Sequence, residues 1–439
     1  MIKKIERASR LEGKVALPGD KSITHRAIIL NSIAAGDATL SNYLPGADCL
    51  STINCLRALG AAIEELPSSP PGLMVHGAGT RGLKEPVNVL DAGNSGTTIR
   101  LLTGLLAAQP FFSVITGDDS LRSRPMGRVI QPLRLMGAQV WGRGSDSLAP
   151  LAIKGQPLKG ITYSLPVASA QLKSALLLAG LFAQGSTTLT EPALSRDHTE
   201  RQLRAMGARI RQEGKHIVLK PLSSPLKALD VNIPGDLSAG AYWLVAGAIH
   251  PKAKIVILNC GVNPTRTGIL DALTAMGGKI RLLNQRTEGG EPVADIQVES
   301  SELAGTELRG EIIPRIIDEI PVLAVAACCA RGKTVIRDAA ELRVKESDRI
   351  ATTSAELRKM GARIEELPDG MIIHGGQPLK GAAVESHGDH RLAMSLAVAA
   401  LVAEGKTTVR DAGAVSISYP AFWQHLEALT GHRRGASPL

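Results

Sequence analysis

A short motif that recurs along the whole chain constrains the fold more than any other feature of the sequence. Leucine or methionine is followed by Gly-Ala or Gly-Gly, and two residues later by isoleucine or valine. The copies stand roughly 70 to 85 residues apart, which is typical of a repeat architecture. Their glycines are Gly60, Gly137, Gly207, Gly277 and Gly361, with a degraded sixth copy at Gly431. Because glycine readily ends a helix in the left-handed conformation, each copy predicts a helix, a turn and a strand.

A second pattern keeps the same spacing. It is a polar, Gly/Ser-rich turn that opens an apolar helix, and it occurs at residues 18–22, 93–97, 168–171, 234–238, 317–319 and 388–391. Helices with so few charges are expected to be buried. A third pattern, a glycine turn before β-branched residues, predicts strands after positions 36, 185, 332 and 405. The sequence therefore predicts an α/β fold of six similar units.

The repeats also predict two similar domains with three units each. Nearly identical Pro-Gly-Asp segments at positions 18 and 234 mark the expected crossovers between them. We place the first domain at residues 20–234. The second domain then combines residues 1–19 with residues 235–439, so that the N-terminal strand closes it. We expect the functional site in a cleft between the two domains.

The charge balance of the 439-residue chain, +9 at neutral pH, favours an anionic partner. The Lys and Arg residues are scattered, and aromatic residues make up only 3% of the chain, too few for a platform on which bases stack. A small anionic substrate is therefore favoured over nucleic acid, which stays as the alternative. No apolar run reaches the roughly 18 residues of a spanning helix, and the N-terminus lacks a secretory signal pattern. We expect a cytoplasmic protein without membrane contact, and the odd cysteine number, 5, argues against a disulfide framework.

The helix-opening turns carry residues suited to anion binding. A helix N-terminus presents unpaired N–H groups and the positive end of the helix dipole. The alternative is that serine, asparagine and aspartate there are simple N-caps. That explanation does not fit the cations Lys21, Arg100 and Arg391. Three further stretches, 122–128, 196–200 and 341–349, are dense in charge, and the alternative interpretation of each is a solvated surface loop. In the last stretch, Ser347 is expected as a helix cap.

Six motifs, in one order along nearly the whole chain, resemble those of the 5-enolpyruvylshikimate-3-phosphate (EPSP) synthase family. They are P-G-D-K-S-I-T-H-R from Pro18, D-A-G-N-S-G-T-T-I-R from Asp91, R-P-M-G-R from Arg124, S-A-Q-L-K from Ser169, R-V-K-E-S-D-R from Arg343 and G-D-H-R-L-A-M from Gly388. The resemblance implies two domains of three βαβαββ-like units each, of the inside-out α/β barrel (α/β prism) type. It also implies an enzyme that needs no metal or organic cofactor. Because a single chain with two matched halves needs no partner to complete its cleft, we expect a monomer.

The implied reaction transfers the enolpyruvyl group of phosphoenolpyruvate to the 5-hydroxyl of shikimate 3-phosphate and releases phosphate. The alkene CH₂ carbon is protonated, the hydroxyl adds to the neighbouring carbon, and the tetrahedral intermediate eliminates phosphate. By resemblance, Asp318 accepts the hydroxyl proton, Glu346 protonates the alkene carbon, and Lys21 contacts both substrates. Such chemistry needs an ionised carboxylate and a proton-donating one.

The resemblance also implies a set of binding residues. The expected ligands of shikimate 3-phosphate are Lys21, Ser22, Arg26, Ser169, Ala170 (through its backbone), Gln171, Arg196, Asp318 and Lys345. The expected ligands of phosphoenolpyruvate are Lys21, Asn94, Gly96, Arg124, Gln171, Arg349 and Arg391.

Some motifs depart from the better-known class of the family. That class has a lysine before T-F-P near the C-terminus, where this chain has Ile417 before S-Y-P, and it has S-S-Q where this chain has S-A-Q. These differences, with N-P-T-R at 263–266, resemble the second class, which often tolerates the inhibitor glyphosate. The nearest alternative is the sister enzyme that acts on UDP-N-acetylglucosamine. It carries a cysteine before its R-P pair, and residues 118–124 here contain none.

Overall fold

The computed structural model describes residues 1–431, which form two compact units with separate hydrophobic cores. The first unit consists of Gly19–Pro234 and Thr287–Glu291. The second consists of Met1–Pro18, Gly235–Arg286 and residues 292–431. The observed division differs from the expected boundaries in two places. Gly19 belongs to the first unit, and so does the hairpin segment Thr287–Glu291. Residues 432–439 of the expected second domain, including His432 of the degraded sixth repeat, lie outside the described residues.

The helices alternate with strands along the chain. The helices are α1 (Lys21–Ser32), α2 (Ala47–Ala58), α3 (Gly96–Leu106), α4 (Asp119–Ser123), α5 (Gly127–Leu135), α6 (Arg143–Asp146), α7 (Ala170–Gly180), α8 (His198–Ala205), α9 (Leu237–Ile249), α10 (Gly268–Ala275), α11 (Ile313–Ile316), α12 (Ile320–Cys329), α13 (Arg349–Lys359), α14 (His390–Ala400) and α15 (Phe422–Thr430). Within residues 1–431, no helix combines the length and the apolar character needed to cross a membrane.

The strands are mostly short. They are β1 (Ile2–Glu6), β2 (Leu11–Ala16), β3 (Ala35–Ser41), β4 (Ala62–Leu66), β5 (Gly72–Ala78), β6 (Leu90–Asp91), β7 (Phe112–Thr116), β8 (Gln139–Gly142), β9 (Leu148–Lys154), β10 (Thr162–Ser164), β11 (Thr187–Thr190), β12 (Ile210–Glu213), β13 (His216–Leu219), β14 (Val231–Asn232), β15 (Ala253–Gly261), β16 (Lys279–Glu288), β17 (Glu291–Glu299), β18 (Glu307–Leu308), β19 (Lys333–Ile336), β20 (Arg363–Leu367), β21 (Gly370–His374), β22 (Ala383–Glu385) and β23 (Lys406–Arg410).

The described residues form six sheets, which agrees with the six similar α/β units that the repeats predict. The first unit contains the sheets β14-β3-β5-β4, β6-β7-β9-β8 and β10-β11-β13-β12. In each of these a short first strand runs parallel to the second, and the remaining neighbours are antiparallel. The second unit contains the sheets β16-β17-β15-β2, β18-β19-β21-β20 and the three-stranded sheet β1-β23-β22.

Three sheets are completed by strands from distant parts of the chain. In the first unit, β14 pairs in parallel with β3, so that Val231 lies opposite Leu40. In the second unit, β2 pairs in parallel with β15, and β1 pairs antiparallel with β23. The N-terminal segment therefore supplies strands to two sheets of the second unit, which agrees with the expectation that an N-terminal strand closes it.

The helices that follow the predicted polar turns form the centre of each unit. Helices α1, α3 and α7 contact one another in the first unit, and α9, α12 and α14 do so in the second. Nearly all of their residues are buried, although few of them show a strong apolar and polar face. A helix packed against other central helices and against sheets has no need of a polar face. The expectation of buried central helices is therefore confirmed.

The predicted helix ends are also confirmed. The five repeated glycines have φ between 87° and 95°, and Gly431 has φ 72°, so each takes the left-handed conformation after a helix. One local expectation is wrong. The N-cap of α13 is Asp348, whose side chain accepts a hydrogen bond from the Ala351 N–H, whereas the Ser347 hydroxyl donates to Asp389.

Candidate active site

The N-termini of the central helices in the first unit carry half of the predicted binding residues. Lys21, Gly96 and Ala170 are the first residues of α1, α3 and α7. The preceding residues act as side-chain N-caps, as the alternative interpretation of these turns held. Asp20, Ser95 and Ser169 accept hydrogen bonds from the N–H groups of residues 23, 98 and 172, at 2.9, 3.1 and 3.4 Å. These caps leave the first N–H groups of each helix for a further acceptor.

Lys21 is held by a carboxylate that the sequence did not point to. Its Nζ lies 3.0 Å from Oδ2 of Asp48, which opens α2. Both side chains are largely buried, at 16% and 11% exposure. The pair fixes a cation at the N-terminus of α1, a position where the helix dipole disfavours positive charge.

Arg124 and Arg100 lie on either side of Gly96. The Arg124 Nη2 donates to Oδ1 of Asn94 at 2.6 Å, and Asn94 in turn donates to Asp118 at 2.8 Å. A Cβ on Gly96 would lie 3.0 Å from Nη1 of Arg100 and 3.4 Å from Nη1 of Arg124. The missing side chain therefore leaves room beside two guanidinium groups.

Gln171 joins the openings of two central helices. Its Oε1 accepts from Nη1 of Arg100 at 2.6 Å, and its Nε2 donates to the Thr97 hydroxyl at 3.0 Å. The structure thus brings Asn94, Gly96, Arg124 and Gln171 into one group, together with Arg100. Arg100 was noted in the sequence only as a cation that is unusual at a helix start.

Arg26 is buried and belongs to a second polar group. Its guanidinium donates to the Ser22 carbonyl at 2.9 Å, the Ser174 hydroxyl at 2.8 Å and the Thr199 hydroxyl at 2.6 Å. Burial lowers its pKa to about 10, although the nearby Glu200 carboxylate opposes that change, and the charge of Arg196 adds to it. Arg26 and Arg196 therefore lie within electrostatic range of each other.

The second unit contains a cluster centred on Arg349, the first residue of α13. Its Nε lies 2.7 Å from Oδ2 of Asp389, its Nη2 lies 2.6 Å from Oε2 of Glu346, and its Nη1 lies 3.4 Å from Oδ1 of Asp318. Burial by itself lowers the pKa of Arg349, but the three carboxylates raise it well above its usual value. Arg349 therefore remains charged although only 1% of its side chain is exposed.

Asp389 is the buried anchor of this cluster. Burial raises its pKa, but Arg349 and His390 lower it, so the pKa lies below its usual value. Its side chain also accepts a hydrogen bond from the Arg391 N–H at 2.8 Å and so caps α14. The sequence placed Asp389 in a helix-opening motif but did not assign it a role.

Asp318 and Glu346, the two predicted acid-base residues, both contact Arg349 while staying partly accessible. Their side chains are 15% and 22% exposed, whereas that of Asp389 is fully buried. Asp318 also lies 3.8 Å from Nη2 of Arg391. Burial lowers the pKa of the adjacent Lys345, while Asp318 and Glu341 raise it, and the net pKa is lower than usual. This geometry can pair one proton acceptor with one proton donor beside fixed cations.

In the part of the chain that the structure describes, no group of three or more His, Cys, Asp or Glu side chains is arranged to hold a metal ion. The five cysteines are all free thiols, and four of them are buried.

A model of the EPSP synthase (3-phosphoshikimate 1-carboxyvinyltransferase) family matches residues 5–426. The chain belongs to the EPSP synthase family. It is 55% identical over 427 residues to the 3-phosphoshikimate 1-carboxyvinyltransferase of Herpetosiphon aurantiacus, covering 97% of this chain and 98% of the relative. It is 56% identical over 420 residues to the enzyme of that name from Gloeobacter violaceus, covering 95% and 96% of the two chains.

The same family provides a solved structure with this fold. The EPSP synthase of Acinetobacter baumannii superposes with a TM-score of 0.87 at 44% identity, covering 98% of each chain. The family resemblance and the α/β fold expected from the motifs are therefore confirmed. As an EPSP synthase family member, the chain is a transferase of the shikimate pathway to aromatic amino acids and chorismate.

Proposed function

We propose that this enzyme transfers the enolpyruvyl group of phosphoenolpyruvate to the 5-hydroxyl of shikimate 3-phosphate and releases phosphate by addition and elimination. The observation that carries the proposal is the pair of partly accessible carboxylates, Asp318 and Glu346, on the single buried guanidinium of Arg349. Addition and elimination need a proton delivered to carbon and a proton taken from oxygen. The Arg349 cluster offers one group for each task.

We assign the two carboxylates different tasks. Asp318, 3.4 Å from Arg349 and 3.8 Å from Arg391, accepts the proton of the 5-hydroxyl, as the family resemblance implies. Glu346 donates a proton to the CH₂ carbon of the alkene. The hydroxyl oxygen then bonds to the neighbouring carbon, and the tetrahedral intermediate loses phosphate. Lys21 contacts both substrates and balances charge as the phosphate leaves.

The remaining predicted residues are proposed as ligands. For shikimate 3-phosphate they are Lys21, Ser22, Arg26, Ser169, Ala170, Gln171, Arg196, Asp318 and Lys345. For phosphoenolpyruvate they are Lys21, Asn94, Gly96, Arg124, Gln171, Arg349 and Arg391. The grouping of Asn94, Gly96, Arg124 and Gln171 supports the second set. Arg26 donates to the Ser22 carbonyl, so its guanidinium lies beside the first turn of α1, and this supports the first set.

Release of inorganic phosphate tests the proposed function. The full chain should release phosphate when phosphoenolpyruvate and shikimate 3-phosphate are both present, and not when either is left out. UDP-N-acetylglucosamine in place of shikimate 3-phosphate tests the sister activity and should give none. If phosphate release with both substrates present did not exceed the release in the controls that lack one substrate, the proposal would be overturned.

We also propose that the enzyme belongs to the second, often glyphosate-tolerant class. Ala170 in S-A-Q and Ile417 in place of the lysine support this assignment. Gly96 argues in the other direction, because it leaves space beside Arg100 and Arg124. Half-inhibition by glyphosate should need at least about tenfold more inhibitor than a first-class enzyme assayed at the same phosphoenolpyruvate concentration. Equal sensitivity would contradict the assignment.

The remaining expectations stay proposals. We propose two domains, residues 20–234 and residues 1–19 with 235–439, whose site residues act on the same pair of substrates. We further propose a cytoplasmic monomer. Light scattering of the full chain at micromolar concentration should give the mass of one 46.1 kDa chain, and the mass of a dimer would contradict it.

A further inference from the structure

Lys173 ends the S-A-Q-L-K motif, and the proposed reaction gives it no role. Its side chain on α7 is 0% exposed. Its Nζ lies 2.9 Å from Oε2 of Glu191 and 2.7 Å from Oε1 of Glu200, and it donates to the Ser195 carbonyl at 3.2 Å. A cation buried so completely requires compensation. The two carboxylates provide it, and the Ser195 carbonyl takes a further hydrogen bond.

Lys173 keeps its charge in this position. Burial lowers its pKa, but Glu200 and Glu191 raise it, and the net pKa lies above the usual value. The ammonium group can therefore hold three partners from two different segments at neutral pH. Glu191 and Ser195 belong to the segment between β11 and α8, and Glu200 lies in the first turn of α8.

The segment that Lys173 anchors is the one that presents Arg196. The Ser195 carbonyl belongs to the peptide bond that joins Ser195 to Arg196, so Lys173 contacts that peptide directly. The Ser195 hydroxyl donates to Glu191, which closes the turn around the ammonium group. The Lys173 contact therefore constrains the backbone from which Arg196 projects.

The same two helices also hold Arg26. Ser174 follows Lys173, Thr199 precedes Glu200, and the hydroxyls of Ser174 and Thr199 are 2.7 Å apart. Both accept hydrogen bonds from the Arg26 guanidinium. Arg26 nevertheless has its own bonds to these hydroxyls and to Ser22, and the Lys173 contact with Ser195 is separate from them. The anchor thus acts first on Arg196.

We propose that Lys173 is a positioning residue that fixes the Arg196 backbone and thereby the affinity for the phosphate group of the shikimate substrate. The proposal rests on the proposed function, in which Arg196 binds that phosphate. Lys173 does not touch substrate. Its loss should therefore weaken binding of one substrate and leave the chemical step and the other substrate nearly unchanged.

The test uses variants of the full chain that separate charge balance from anchoring. Lys173→Met removes the anchor and leaves two buried carboxylates without their cation, so this variant alone can fail to fold. Lys173→Met with Glu200→Gln returns the local net charge to its original value, with Glu191 as the one remaining buried carboxylate, but does not restore the bond to Ser195. Glu200→Gln alone keeps that bond and is the matched control.

The expected result is a substrate-selective change. In the double variant, KM for shikimate 3-phosphate should rise about tenfold, while KM for phosphoenolpyruvate and kcat change by less than about threefold. Glu200→Gln alone should keep KM for shikimate 3-phosphate within about twofold of the unmodified enzyme. An unchanged KM for shikimate 3-phosphate in the folded double variant would overturn the proposal, as would equal changes for both substrates.

A second measurement asks whether the effect passes through Arg196. In an Arg196→Met background, adding Lys173→Met and Glu200→Gln should raise KM for shikimate 3-phosphate by less than about twofold further. Multiplying effects would show that Lys173 acts elsewhere and would overturn the proposal. If the unmodified enzyme released no phosphate, the proposed function itself would be refuted. If the unmodified enzyme were active but the variants kept its KM values, only the role of Lys173 would be refuted.

Discussion

Within the candidate site, the structure describes different oxygen partners for the guanidinium groups of the first unit and for those of the second. In the first unit, Arg124 donates to an amide oxygen, Arg100 to an amide and a carbonyl oxygen, and Arg26 to two hydroxyls and a carbonyl. In the second unit, Arg349 contacts three carboxylates and Arg391 contacts one of the same three.

This difference separates binding from proton transfer. A neutral oxygen orients a guanidinium without compensating its positive charge. A carboxylate partner compensates the charge, and in return the cation sets the protonation of that carboxylate. We therefore expect variants of Arg124 and Gly96 in the first unit to change KM, and variants of Asp318 and Glu346 in the second unit to change kcat.

The largest effect is expected for Glu346→Gln. Glutamine keeps an oxygen for Arg349 but cannot donate the proton to carbon, so kcat should fall by at least about 100-fold. Phosphate release at saturating substrates measures kcat, and thermal unfolding checks the fold. The exposed Glu365, which pairs with His374, provides the control Glu365→Gln. A kcat within tenfold of the unmodified enzyme would remove Glu346 from its assigned role.

A similar loss is expected for Asp318→Asn, which removes the proton acceptor and also a negative charge between Arg349 and Arg391. We expect kcat to fall by at least about 100-fold, with KM for each substrate changed less than kcat. Steady-state kinetics of phosphate release gives both values. If KM rose while kcat held, Asp318 would be a binding residue and the contrast between the units would fail.

A smaller effect, on KM, is expected for Arg124→Lys. Lysine keeps the charge but loses the planar group that holds Asn94 and Ser120, so KM for phosphoenolpyruvate should rise about tenfold with kcat nearly unchanged. Arg134→Lys is the control, because Arg134 in the same unit pairs with Asp146 at the surface. A change in kcat alone would contradict the division of tasks.

The smallest effect is expected for Gly96→Ala. The new methyl group would lie 3.0 Å from the Arg100 guanidinium, so one of the two arginines must shift by a few tenths of an ångström. KM for phosphoenolpyruvate should rise about threefold. Gly127→Ala is the matched control, since Gly127 also opens a helix and its Cβ would meet its nearest neighbour, the Ser147 Cα, at 4.0 Å. Equal kinetics for both variants would mean that Gly96 does not border the substrate.

The local features of the fold could be predicted from the sequence because they depend on neighbours in the chain. The repeated glycines end helices by their own conformational freedom. Asp20, Ser95 and Ser169 each cap a helix by accepting a hydrogen bond from the N–H group three residues further along the chain. The error at Ser347 shows the limit of this reasoning. Serine and aspartate are both good caps, and the contact with distant Asp389 decides which of the two adjacent residues turns toward the helix.

The pairings within the site could not be predicted, because they join residues far apart in sequence. Asp389 reaches Arg349 across 40 residues, and Asp48 reaches Lys21 across 27. Lys173 precedes strand β11 in the sequence and Glu191 follows it, yet the two side chains are in contact. A single sequence marks each of these residues as charged but does not show which charges meet. The motifs predict candidate substrate ligands, but they do not identify the buried residues that hold them.

The strands that close the sheets also set an order of assembly during synthesis. The first unit receives its last strand, β14, soon after residue 232 is made. The N-terminal strand β1 must wait for its partner β23, which ends at Arg410. Since domains generally fold as units as the chain emerges, the earliest residues made are among the last to pair. Nearly the whole chain is therefore synthesised before the second unit can close its sheets.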